Sequence, residues 1–215
     1  RFPRKAEAVS EALWEIPDQE ITSKATSQPQ VSSGIIKLKE AGVFNKGDVV
    51  LDLGGGKYDK GKDFLKDEAI DFEVIDFFNK SAEHNRRVIE KVKSGGADVT
   101  MSHNTLNVIP DYPNRLKHVQ QLHNALKPGG KAYITTYSKK GTGVGEETTK
   151  GFQSNIPTKE YIPLVEQVFG QGNVTIKSIG KKSKKAVIYA SKNVSEFSDP
   201  SEVVDNLQLV AGRLS

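Results

Sequence analysis

The 215-residue chain contains no cysteine, one methionine and one tryptophan, and only 7% of it is aromatic. Without cysteine there is no disulfide, no thiolate metal site and no cysteine nucleophile, although this says little about compartment. Long apolar runs are missing too. Nothing approaches the roughly 20 residues of a membrane span, and the start, RFPRKAEAVSEALWEI, has no apolar signal-peptide core. The expectation is a cytoplasmic location without membrane attachment. An arginine rather than a methionine at the start suggests a processed chain or a piece of a longer one. Charge of one sign is also scarce: 31 basic against 27 acidic residues leave +4 and a pI near 9.0. The clusters Lys57/Lys60/Lys62/Lys66, Arg86/Arg87 and Lys181/Lys182/Lys184/Lys185 read first as solvated faces and second as contacts for an anionic partner. No His/Asp/Glu spacing suggests a metal site.

What is present is an alternation of element types. Residues 1–31 form a polar extension with an amphipathic stretch, Lys5 to Ile16, stopped by Pro17. Ser32 and Ser33 are candidate caps for a helix over Gly34 to Ala41. DVVLDL, FEVID, DVTMSH and KAYITTYS then read as strands, separated by the helices KDFLKDEA, SAEHNRRVIEKVK and PNRLKHVQQLHNAL. Strands joined by helical crossovers predict a parallel sheet with helices on both faces. A Gly/Thr/Lys-rich loop over Lys139 to Pro157 and a helix over Thr158 to Phe169 follow. NVTIKSI and KAVIYAS, joined by GKKSKK, predict an antiparallel hairpin at one sheet edge. The fold class is therefore α/β, a Rossmann-like, doubly wound, mostly parallel sheet over residues 32–192. Residues 193–215 form a tail in which Val203, Leu207, Val210 and Leu214 recur at helical spacing. That tail helix is expected to dock on its own domain or, second, on a protein partner.

The informative stretch is VLDLGGGKYDKG, Val50 to Gly61. Ligands of open α/β sheets bind beyond the carboxyl ends of the strands, at the first strand-to-helix turn. Glycines there permit positive φ and close backbone approach. Asp76, 24 residues after Asp52, ends FEVID and can accept both hydroxyls of a ribose. A dinucleotide fingerprint would require a third glycine where Asp59 stands, and the Walker lysine-serine pair is missing. A carboxylate before the turn suits a ligand with a cationic end better than a polyphosphate.

VLDLGGGKYDKG with the acid of FEVID resembles the first two motifs of the class I S-adenosylmethionine-dependent methyltransferases. LHNALKPGGKAYITTYS resembles their later helix–turn–strand segment, and the closing helix and hairpin fit the family's usual ending. The resemblance spans roughly Ser33 to Ser191. It implies S-adenosyl-L-methionine as cofactor, with Asp52 near its amino group and Gly54, Gly55 and Gly56 turning beneath it. It implies Asp76 on the ribose and Phe77 beside the adenine. The run MSHNTLNVIP lies where the family faces the methyl group and substrate, so Ser102, His103, Asn104 and Asn107 are candidates there. Ser102 is counted with the cofactor and His103 and Asn104 with catalysis. His103 is the one candidate base if the acceptor must lose a proton; the plainer reading is a packing histidine. His84, His118 and His123 are expected on solvated helix faces.

One departure stands out. Only 22 residues separate Asp76 from Asp98, and a helix over Ser81 to Lys93 uses most of them. The third, edge strand usual in the family is expected to be missing, with Phe77, Asn79 and Ser81 left to hold adenine. Tyr137 and Ser138 are candidates for the substrate side, and Gly141 to Asn155 is either a lid or an idle loop. The N-P-P-Y and D-P-P-Y signatures of amino-methylating DNA enzymes are absent. The expected activity is methyl transfer to an unidentified acceptor, with a small molecule favoured. RNA or DNA as acceptor, and a non-catalytic binding module of the same fold, are the alternatives.

Overall fold

A computed structural model describes residues 11–19, 21–22, 24–138, 141–180 and 185–194. Six strands form one sheet: β1 (Val49–Leu53), β2 (Asp71–Ile75), β3 (Ala97–His103), β4 (Leu126–Thr135), β7 (Val174–Ile179) and β8 (Lys185–Ser191). Their order is β2-β1-β3-β4-β8-β7. The first four are parallel, whereas β8 runs antiparallel to β4 and β7 antiparallel to β8. The predicted mixed sheet with a terminal antiparallel hairpin is what forms. No strand lies outside β2 among the described residues, which agrees with the short interval after Asp76.

Alternation along the strands sorts side chains onto two faces. Val50, Phe72, Val74, Val99 and Met101 pack with α1 (Ser33–Glu40) and α2 (Lys60–Leu65) on one face. Leu51, Leu53, Ile75 and Ile134 pack with α3 (Ala82–Gly95), α4 (Tyr112–Ala125) and α5 (Ile162–Phe169) on the other. The helices start where the sequence offers an acceptor. Ser32 accepts from Ile35 N at the head of α1, Ser81 from His84 N before α3, and Asp111 from Asn114 N before α4. Each such cap is worth about 1 kcal/mol. The Asp98 carboxylate accepts from Val49 N at 2.8 Å and from Lys127 Nζ at 2.9 Å, tying β1 to the Lys-Pro-Gly-Gly turn. It is a structural acid at the start of its strand.

The free side of β2 carries a charged cluster. Glu73, 5% exposed, takes a bidentate grip from Arg87 (3.0 and 2.9 Å) and a third bond from Lys91 (2.9 Å). Burial alone would raise its pKa; the bonds from Arg87 and Lys91 outweigh burial and hold it down at about 2.

Two segments differ from the expectations. Within the loop, β5 (Glu146–Thr148) and β6 (Gly151–Gln153) pair as a small hairpin. Its polar sequence shows no strand pattern, and the hairpin is fastened by distant partners. Asn107 Nδ2 donates to Gln153 Oε1 (3.1 Å), Ser154 N to Asn107 O (2.8 Å) and Gln153 Nε2 to Tyr137 O (2.7 Å). At the start, Trp14 is buried, and its indole donates to Asn124 Oδ1 (3.2 Å). Gln121 donates to Leu13 O (2.8 Å) and Asn114 to Asp18 O (2.9 Å). Residues 13–18 therefore lie bound along α4. Most of the predicted Lys5–Ile16 helix, the Lys181–Lys184 turn and the tail helix lie outside the described residues.

Candidate functional site

The β1 turn requires its glycines sterically. Gly54 and Gly56 sit at φ of +83° and +80°, a region costly for any side chain. A Cβ on Gly54 would stand 2.6 Å from the Thr105 side chain; one on Gly55 would stand 2.8 Å from Asp52 Oδ2. Gly54→Ala is therefore expected to destabilise the fold by about 2 kcal/mol or more, read as a lowered Tm. Adding Thr105→Ala should recover the steric share and leave the backbone share.

By strand alternation Asp52, Asp76 and His103 fall on the α1/α2 face of the sheet, at the carboxyl ends of three adjacent strands. Asp52 is 4% exposed, and its Oδ1 is buried without a hydrogen-bond partner. Burial, and secondarily the charge of Asp76, push its pKa up to about 7. Asp76 is engaged through both oxygens, Oδ1 with three donors and Oδ2 with one. Its Oδ2 accepts from Gly56 N (2.8 Å), and its Oδ1 from Phe78 N (3.0 Å), Asn79 N (2.9 Å) and Asn79 Nδ2 (3.1 Å). The same acid thus builds both halves of the turn region. Asn85 brackets its backbone by donating to Asp76 O and accepting from Asp76 N.

These residues line a cavity of about 660 Å³. Asp52, Gly54, Gly55, Gly56, Asp76, Phe77 and Asn79 lie on it together, with His103, Asn104 and Asn107. Tyr137 lies at its mouth, 53% exposed. Ser102 does not line it. Alternation turns Ser102 to the opposite face, where its hydroxyl meets His118 Nε2 at 2.8 Å. Ser81 and Ser138 do not line it either.

His103 bonds through Nδ1 to the Thr135 hydroxyl, and its Nε2 lies 3.3 Å from Ser33 Oγ and from Asn104 Nδ2. Burial, then the charge of Lys185, lower its pKa to about 3. The ring is therefore neutral at physiological pH. Gly34 at the head of α1 leaves room for it: a Cβ there would stand 2.5 Å from His103 Nδ1. Asn104 holds a left-handed φ of +57° and accepts from Lys185 Nζ at 3.1 Å.

The other histidines correct the expectation of solvated faces. His118 is 7% exposed, and burial drops its pKa to about 3. His123 packs edge-on against Phe169 at 4.8 Å, and His84 Nε2 bonds to Val74 O at 2.8 Å. Nor did composition signal that the first segment forms a wall: Pro17, Gln19, Thr26, Ser27 and Gln28 all line the cavity. Gly56 leaves room for this wall, since a Cβ on it would stand 2.9 Å from Ser27 Oγ. Among the described residues no His/Cys/Asp/Glu group could hold a metal ion, and no helix is long and apolar enough to cross a membrane.

No family model and no curated protein matches the sequence. Solved structures do match. One is the 1,6-didemethyltoxoflavin-N1-methyltransferase of Burkholderia thailandensis, with 1,6-didemethyltoxoflavin and S-adenosylhomocysteine bound. It superposes with a TM-score of 0.53 at 13% identity over 79% of this chain and 80% of that one. PigF with S-adenosylhomocysteine gives 0.52 at 16% identity, over 74% of this chain and 54% of that one. The [4+2]-cyclase SpnF gives 0.53 at 12% identity, over 79% and 86%. Such identities speak for the backbone alone, and the backbone of this chain is that of the class I S-adenosylmethionine-dependent methyltransferase fold.

Proposed function

We propose that the chain is an S-adenosylmethionine-dependent methyltransferase whose acceptor is most simply a small molecule. The observation that carries this reading is the buried, unpartnered Oδ1 of Asp52 beside a turn with no side chains. A buried carboxyl without a donor is costly. An ammonium group satisfies it and returns it to the charged form, whereas a phosphate would oppose its ionisation. Asp76 would take the ribose hydroxyls through the acceptor capacity its Oδ2 retains beside Gly56 N. Phe77 and Asn79 would flank the adenine, in the space that a further edge strand would otherwise border.

When bound, the cofactor supplies an activated methyl group for in-line displacement. The chain's own task is alignment and exclusion of water. His103 and Asn104 would fix the acceptor, with Asn104 held by Lys185. A ring whose pKa lies near 3 is a weak proton acceptor, so His103 is proposed to orient the acceptor as a neutral hydrogen-bonding group rather than to deprotonate it.

Since SpnF has the same fold and is a cyclase, the test must read methyl transfer itself. Calorimetry with S-adenosylmethionine and S-adenosylhomocysteine should show binding of both. A tritiated-methyl transfer screen over metabolite, nucleic-acid and protein pools should label one pool. Silence of both ligands at millimolar concentration overturns the reading. Binding without transfer to any pool favours the non-catalytic module.

A further inference from the structure

Helix α4 turns a polar stripe inward where a helix packed on a sheet is ordinarily apolar. Asn114, His118 and Gln121 recur at i, i+4 and i+7, and all three line the cavity. Gln121 is 1% and His118 7% exposed. Each has spent one polar atom on the protein: Gln121 Nε2 on Leu13 O, and His118 Nε2 on the Ser102 hydroxyl. Gln121 Oε1 and His118 Nδ1 make no hydrogen bond to another described residue. On side chains that line a cavity, such atoms are available to a ligand.

The charges around the cavity narrow the choice of ligand. Its charged lining residues are Lys24, Asp52, Lys60 and Asp76. Both lysines are exposed, and both acids belong to the β1 and β2 turns. The carboxylate nearest the α4 stripe, Asp111, is taken up by Asn114 N (2.8 Å) and Asn114 Nδ2 (2.9 Å) and does not line the cavity, and His118 and Gln121 have no charged side chain beside them in the lining. A charged group placed there would lose its hydration without gaining a counter-ion. Val108, Ile109 and Pro17 complete the lining with apolar surface.

We propose that the α4 stripe is a specificity subsite for the methyl acceptor, and that it selects an uncharged ring bearing a lactam-type N–H/C=O edge. Gln121 Oε1 can only accept, so the ligand must offer an N–H there. The imidazole of His118 takes either tautomer, because the Ser102 hydroxyl can donate to its Nε2 or accept from it. Its Nδ1 therefore serves either a carbonyl or a second N–H. The proposal rests on the methyltransferase reading only in calling this ligand the acceptor.

The test uses three bicyclic probes of one size: a quinolone lactam, a quinoline carboxylate and an aminomethylquinoline. Each is titrated into the full chain with and without saturating S-adenosylhomocysteine. The lactam should bind at least about tenfold more tightly than either charged probe, the worth of one hydrogen bond. Gln121→Met should erase that preference and leave S-adenosylhomocysteine affinity within about twofold. Because this variant also loses the bond to Leu13, imidazole nitrogen spectra of the unmodified chain give a second readout. The lactam should shift the His118 resonances. A charged probe binding as tightly as the lactam, or unmoved His118 resonances at lactam saturation, overturns the proposal. Failure of S-adenosylhomocysteine to bind refutes the methyltransferase reading instead, and the lactam titration without it still decides the subsite.

Discussion

Asp76→Ala is expected to weaken S-adenosylhomocysteine binding by about 100-fold or more, the worth of two lost hydrogen bonds to a charged group. It is also expected to lower stability by about 3 kcal/mol. Both effects come from one carboxylate. Its oxygens accept from the backbone N–H groups of Gly56, Phe78 and Asn79, so alanine leaves three donors of the turn region without their acceptor. Asp76→Asn keeps the volume and one acceptor oxygen, so it should cost less stability while still losing most of the affinity. Calorimetry and thermal melts on both variants separate the two roles. Unchanged ligand affinity in the alanine variant would remove Asp76 from the proposed site.

Asp52→Asn should do the opposite to the ligand-free protein. The folded chain holds a proton on Asp52 up to about pH 7, whereas the unfolded chain releases it near 3.8. Folding therefore binds a proton between those values, and this carboxyl's contribution to stability falls as pH rises from about 4 to 7. The loss is on the order of 4 kcal/mol and is complete above pH 7. Burial holds His103 and His118 down at about 3 and His123 at about 4. These groups charge more readily when unfolded, so they act with the opposite sign below pH 6.5. The raw pH profile mixes both trends. The difference between Asp52→Asn and the unmodified chain isolates the aspartate: small at pH 4, and growing in favour of the variant towards pH 7. Cofactor affinity should collapse in the same variant, since an amide offers no charge to an ammonium group. A stability difference that stays flat with pH would show that Asp52 is ionised in the folded chain.

The parts that were legible in the sequence rest on local patterns. Apolar runs separated by helical crossovers give the parallel sheet, and Ser32, Ser81 and Asp111 mark where helices begin. The interval between Asp76 and Asp98 was too short for a strand as well as a helix, so the missing edge strand could be counted. Reading MSHN as one block places Ser102 on the cofactor side of the sheet. Strict alternation from Val99 and Met101 would have sent Ser102 to the α4 face. Similarly, PNRLKHVQQLHNAL is amphipathic in either orientation of its polar residues. Only the cavity beside α4 makes an inward His118 and Gln121 tolerable. The β5–β6 hairpin and the wall that includes Pro17, Gln19, Ser27 and Gln28 depend on bonds between residues far apart in sequence, such as Asn107 to Gln153 and Asn114 to Asp18. No local window contains them.

Ending the sheet at β2 also shapes how copies of this chain meet. A terminal strand offers a row of unpaired N–H and C=O groups on which another chain can polymerise. β2 is only five residues long, and the cluster of Glu73, Arg87, Lys91 and Asp71 stands beside its open edge. A strand docking there would have to strip water from several charges for a short ladder in return. With its pKa near 2, Glu73 keeps its charge well into acid. The ion pairs that anchor α3 therefore also raise the cost of edge-to-edge pairing at β2.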